Sequence, residues 1–70
     1  MHSARLEKSK RLQRVDALLL SGYSYTTREI IESARVCAVN SIISELRANG
    51  REIVCWRRYD TWFYQMRVKT

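Results

Sequence analysis

The sequence predicts an α+β domain of three short helices followed by a β-hairpin. Three observations predict it. Apolar residues recur at three- and four-residue steps between Leu12 and Leu46, the spacing of helices that bury one face. The period changes to two in the last twenty residues, where Trp62, Tyr64, Met66 and Val68 alternate with Thr61, Phe63, Gln65 and Arg67, which is strand spacing. The only two glycines, Gly22 and Gly50, fall where helices should stop, and there is no proline.

The first helix is expected over roughly Ser9–Ser21, with Leu12, Val15, Leu18 and Leu19 on one face and Gly22 as its stop. Arg5–Lys8 either extend it or fray. The second helix carries the clearest local signal. In Thr26-Thr27-Arg28-Glu29 the Thr26 hydroxyl can accept from the N–H of Glu29 while the Glu29 carboxylate reaches back to the N–H of Thr26, a capping box. Tyr25 before the cap and Ile30 at the fourth helical position can form a hydrophobic staple. This helix runs to Ser33 or Ala34, with Ile30, Ile31 and Ala34 as its apolar side.

A turn near Ala34–Val36 leads into a third helix, roughly Cys37–Asn49, stopped by Gly50. Val36, Val39, Ile42, Ile43 and Leu46 make its apolar stripe. Its opposite face, Asn40, Ser41, Ser44, Arg47 and Ala48, is small, polar and nearly uncharged, a surface suited to contact with base edges or with another protein. Two helices joined by so short a turn form a helix-turn-helix unit. Arg51–Trp56 and Trp62–Val68 then read as the strands of a hairpin, linked by Arg57–Thr61 with Asp60 as the best turn former.

Seventy residues allow one domain, residues 1–70, whose core is marginal without a disulfide, a metal or a partner subunit, so a homo-oligomer is expected. The net charge is +6, and it is unevenly spread: residues 1–16 and 51–70 each carry +3, while residues 17–50 are neutral. Basic ends favour nucleic acid or an acidic partner. Cys37 and Cys55 are isolated, and the only histidine, His2, lies at the terminus. A metal site therefore lacks ligands and no cofactor is expected; the two thiols read as small buried hydrophobes. The longest aliphatic run, Ala17–Leu20, is far short of a membrane span. No signal peptide fits the start, so the expected location is cytoplasmic.

Three helices and then a hairpin is the order of a winged helix-turn-helix domain. Over about residues 10–68 the chain also resembles a family of small phage and prophage helix-turn-helix proteins. The residues that carry the resemblance are Thr27-Arg28-Glu29-Ile30 and the run Asn40-Ser41-Ile42-Ile43-Ser44-Glu45-Leu46-Arg47-Ala48-Asn49-Gly50-Arg51-Glu52-Ile53. The latter looks like that family's recognition helix running into L-R-x-x-G-x-x-I. One departure is visible: a glycine common in the family's interhelical turn is replaced here by Ala34, Arg35 and Val36.

The resemblance implies a transcriptional regulator that binds double-stranded DNA through the third helix, with the hairpin as a wing. It turns Asn40, Ser41, Ser44 and Arg47 towards the major groove, sets Arg35 near a phosphate, and lets Arg57 and Arg58 reach the backbone or minor groove. Asn, Arg and Ser suit base edges and phosphates. The same phage context also contains small antirepressors, which bind a repressor protein instead. Five of the seven aromatics lie between Trp56 and Tyr64. Because a hairpin has two faces and helices cover one, at least one large ring should be exposed. Trp56, Tyr59 and Phe63 are thus candidates for a protein interface. No nucleophile–base pair, Gly-rich phosphate loop or convergent acid pair supports an enzyme.

Overall fold

The computed structural model describes residues 5–68. His2 and Lys69, used above for the metal and charge arguments, lie outside them. The fold is α+β. A single 3-10 turn, Leu6–Lys8, precedes α1 (Lys10–Leu19). Then follow β1 (Tyr25–Thr26), α2 (Thr27–Ala34), α3 (Val39–Ala48), β2 (Ile53–Arg58) and β3 (Thr61–Met66). The three strands form one antiparallel sheet in the order β1-β3-β2, so β3 is central and β2 lies at an edge.

Local chemistry fixes most boundaries. Ser9 caps α1, its hydroxyl accepting from Leu12 N–H. The capping box of α2 forms in full: Glu29 N–H donates to Thr26 Oγ1 at 3.1 Å and Thr26 N–H donates to Glu29 Oε1 at 2.8 Å. The third helix is shorter than its apolar stripe suggests. It begins at Val39 rather than Cys37, because Ala38 at its cap has no side-chain acceptor to hold an earlier turn. Val36 is buried from the link that precedes it.

The turn without glycine is made by Arg35, which adopts the left-handed conformation (φ 53, ψ 54) that a glycine would otherwise supply. The hairpin loop is also tighter than expected. Arg57, Arg58 and Thr61 belong to the strands, and only Tyr59 and Asp60 turn the chain, with Tyr59 at φ 57. The sequence reading lacks β1 altogether. Tyr25 and Thr26 pair with Tyr64 and Phe63, and two residues are too few to show an alternation.

The core joins α1 (Leu12, Val15, Leu19), α2 (Ile30, Ala34), α3 (Val39, Ile42, Ile43, Leu46) and the inner face of the sheet (Ile53, Tyr64, Met66). Tyr25 packs against it, as the staple requires. Arginines tie its edges. Arg51 donates through Nε and Nη2 to the carboxylate of Asp16 at 2.7 and 3.0 Å, linking the α3–β2 junction to α1. Asp16 is the one buried charged residue among those described. Its hydrogen bond, and then its charge, raise the Arg51 pKa above the ordinary value. Arg11 holds Glu45 of α3 through one nitrogen, Nη2, which donates to both carboxylate oxygens at 3.2 and 3.0 Å. Arg14 Nε donates to the carbonyl of Ala34 at the end of α2.

A non-glycine residue in the left-handed region costs about 1–2 kcal/mol, and glycine returns part of that as chain entropy. Arg35→Gly is therefore expected to stabilise the fold by about 0.5–1 kcal/mol, a rise of roughly 3–6 °C in thermal midpoint followed by circular dichroism. An unchanged or lower midpoint would mean that the Arg35 side chain contributes contacts that outweigh its backbone cost.

Candidate functional site

An open cleft of about 720 Å³ lies between α3 and the inner face of the hairpin. Its helical wall is the polar face of α3, Asn40, Ser41, Ser44 and Arg47. Its other wall is Cys55, Trp62 and Tyr64, and it is closed by Thr27 at the start of α2 and by Cys37 in the α2–α3 turn. The helix-face residues singled out from the sequence thus share one surface. The hairpin bends over that surface instead of standing clear of it.

Two cross-cleft contacts hold this arrangement. Tyr64 Oη donates to Asn40 Oδ1 at 3.1 Å. Arg47 donates to the carbonyl of Ile53 from Nη2 at 2.7 Å and from Nε at 3.2 Å, and its Nη2 lies 3.7 Å from Cys55 Sγ. In the ladder, Arg67 N–H donates to the Glu52 carbonyl. Pairs alternate along an antiparallel ladder, so the carbonyl of Ile53, opposite Met66, points to the free edge of β2. Arg47 covers that carbonyl. Its guanidinium is partly committed to bracing the hairpin, and Nη1 is the nitrogen left over.

Ser41 and Ser44 make no hydrogen bond among the described residues, and both are exposed. Arg35 is exposed in the turn at the start of α3. The two hairpin arginines separate. Arg57 pairs with Trp62 on the cleft side of the sheet, and Arg58 pairs with Thr61 on the outer side. Neither has an acidic partner among the described residues.

The aromatics divide in the same way. Trp56 and Phe63 stack on the outer face, with centroids 5.7 Å apart and rings 6° from parallel, and Tyr59 stands 90% exposed at the turn. Trp62 shares its face with Tyr64 but lies beyond the helices and remains exposed in the cleft. The expectation that Cys37 and Cys55 are buried is corrected. Both are free and exposed on the cleft. Cys37 lies in the link before α3, off the buried side that Val36 and Val39 take, and the helices do not cover Cys55. Tyr64, Trp62 and Thr27 were not foreseen at this site. The alternation of β3 gives the face of Tyr64, but only the crossing of β3 over α3 brings it to Asn40.

Among the described residues no His, Cys, Asp or Glu cluster could hold a metal ion, and no helix is long and apolar enough to cross a membrane. No protein-family model matches the chain, and no curated protein or solved structure is similar enough to count as a match.

A hydrogen bond from a cation to a partly buried edge carbonyl, such as that of Ile53, is worth about 1–2 kcal/mol. Arg47→Met keeps the stem and removes the donors. It is expected to cost about that much stability in urea unfolding, and to speed amide exchange in β2 more than in α1. Uniform exchange rates in both elements would show that Arg47 does not brace the hairpin.

Proposed function

We propose that the chain is a winged helix-turn-helix regulator of the phage type. On this reading it binds double-stranded DNA with α3 at the major groove and the β2–β3 hairpin as the wing. One observation carries it: the only acid on α3, Glu45, is turned onto Arg11 of α1. The outward face of the helix is thereby left to Asn40, Ser41, Ser44 and Arg47. Arg35 at one end and Arg57 across the cleft add positive charge without an acidic partner among the described residues. Five of the seven acids are used within the fold: Glu7, Asp16, Glu32 and Glu45 are each paired to an arginine and Glu29 serves its capping box, while Glu52 and Asp60 have no basic partner among the described residues. Lys8, Lys10, Arg57, Arg58 and Arg67 have no acidic partner among the described residues. The element order, with a short strand before α2 closing the hairpin into a sheet, supports the same reading.

A second reading rests on a different face. The stacked Trp56 and Phe63, with Tyr59 at the tip, form an aromatic row on the outer sheet surface. Such rows anchor protein partners. This favours a small antirepressor that binds a repressor protein through its hairpin, and either reading is compatible with a homo-oligomer.

With about four to six phosphate contacts, log K for a duplex should fall against log salt with a slope of about −4 to −5. Arg57→Ala/Arg58→Ala should weaken all duplexes alike. Fluorescence anisotropy across a salt series measures both. Absence of duplex binding at low salt would sink the DNA reading.

The two readings also part on mutagenesis. Asn40→Ala/Ser44→Ala should cost about 1–3 kcal/mol per lost base contact, and Phe63→Ala little, if DNA is the partner. The order reverses for a protein partner, where an aromatic anchor carries about 2 kcal/mol or more. Regulation of a phage promoter in the native host, with folding of each variant checked by circular dichroism, decides between them.

A further inference from the structure

The sheet has an uncovered edge along β2, which pairs with β3 on one side only. The Glu52 carbonyl accepts from Arg67 N–H. Alternation therefore turns the backbone groups of Val54, Trp56 and Arg58 towards β3, and those of Ile53, Cys55 and Arg57 towards the free edge. Arg47 holds the Ile53 carbonyl. The N–H and carbonyl groups of Cys55 and Arg57 have no backbone partner among the described residues, and residues 55–58 are exposed. Such an edge is a template for a further strand.

Trp56 stands between these two residues on the outer face and is 37% exposed. One face of its indole lies on Phe63, and no ring among the described residues covers the other.

We propose that this edge pairs with β2 of a second copy, antiparallel, about a two-fold axis at Trp56. Hydrogen bonding and charge select the register. Groups that face the edge must meet groups that face the edge, so Ile53, Cys55 and Arg57 pair only among themselves. An axis at Val54 or Cys55 would need the Ile53 carbonyl, which Arg47 already holds. An axis at Arg57 or Arg58 would set like charges opposite each other, which is unfavourable. With the axis at Trp56, Cys55 of each copy meets Arg57 of the other, and each such pair exchanges both of its N–H···O bonds. Arg58 stands across from Val54 of the second copy and one diagonal step from its Glu52, an acid without a basic partner among the described residues of its own chain. The indoles meet in the closer, non-hydrogen-bonded kind of pair, which suits aromatic contact. The outer aromatic row then runs from Phe63 of one copy to Phe63 of the other, and the clefts of both copies open on the opposite side. A self-complementary edge of this kind fits a chain whose own core is marginal for its length. The inference does not depend on which partner the protein binds.

The test uses the wild-type protein without any ligand. Amide exchange is followed residue by residue by NMR across a concentration series, with mass measured by sedimentation equilibrium. The amides of Cys55 and Arg57 are expected to slow about tenfold or more as the mass rises to that of a dimer, while those of Val54 and Trp56, already bonded to β3, change far less. Trp56→Lys sets a positive charge opposite its own copy at the axis and should weaken association about tenfold or more. The wild-type exchange pattern decides the matter even if that variant does not fold. A monomer at every concentration would overturn the proposal, as would a dimer whose Cys55 and Arg57 amides exchange as they do in the monomer. Protection that also reaches the Ile53 amide would mark pairing about Cys55 and overturn the axis at Trp56.

Discussion

At Tyr64 the three strands and α3 meet. Its backbone lies between Tyr25 of β1 and Cys55 of β2, its ring fills the core, and its hydroxyl reaches Asn40. One residue therefore fixes both the sheet and the angle at which the sheet approaches the helix. The cleft exists because this contact brings the hairpin over the start of α3, and because Arg47 repeats the tie farther along, at Ile53. A hairpin joined to the helices only through its own loop would be marginal in water. Pairing with β1, itself anchored as the cap of α2, makes it part of the core.

A chain of this length cannot rely on apolar burial alone. Arginine supplies ties at its margins: Arg51 to Asp16, Arg11 to Glu45 and Arg14 to the Ala34 carbonyl. Of these, only Arg51 uses the planar guanidinium as a fork, with Nε and Nη2 each on one oxygen of Asp16, a contact that lysine could not reproduce. The Asp16 pair is the most buried, with the aspartate side chain 9% and the arginine 36% exposed. Its net value is modest, since both charges leave water to form it. Its importance lies in leaving no buried polar side-chain atom unpaired among the described residues. One of these ties uses up Glu45, the one acid of α3, and so leaves the opposite face of that helix without an acid.

The two surfaces proposed for partners are thus distinct consequences of one hairpin. Alternation sends Tyr64, Trp62 and Arg57 to the cleft, and Phe63, Trp56 and Arg58 to the opposite side. A partner that uses the cleft reads side chains oriented by the core. A partner on the outer face meets two stacked rings whose neighbours are strand residues, with no helix beneath them to be disturbed.

Features set within a few residues were legible in the sequence by itself. The capping box at Thr26 and Glu29, the Ser9 start, the stripe of α3, the glycine stops and the alternation of β3 each depend on local hydrogen bonds or on a repeat within one element. The grouping of Asn40, Ser41, Ser44 and Arg47 on one face followed from helical period alone. Tertiary structure decided what depends on distant pairing. β1 is a strand only because Phe63 and Tyr64 lie beside it. Cys55 is exposed only because the helices stop short of it. Glu45 leaves the outward face of α3 only because Arg11 lies on the neighbouring helix. The contact of Asn40 with Tyr64 and the contact of Arg47 with the Ile53 carbonyl belong to the same class. A periodicity tells which way a side chain points from its own backbone, but the group it meets there comes from another part of the chain, and only packing brings the two together.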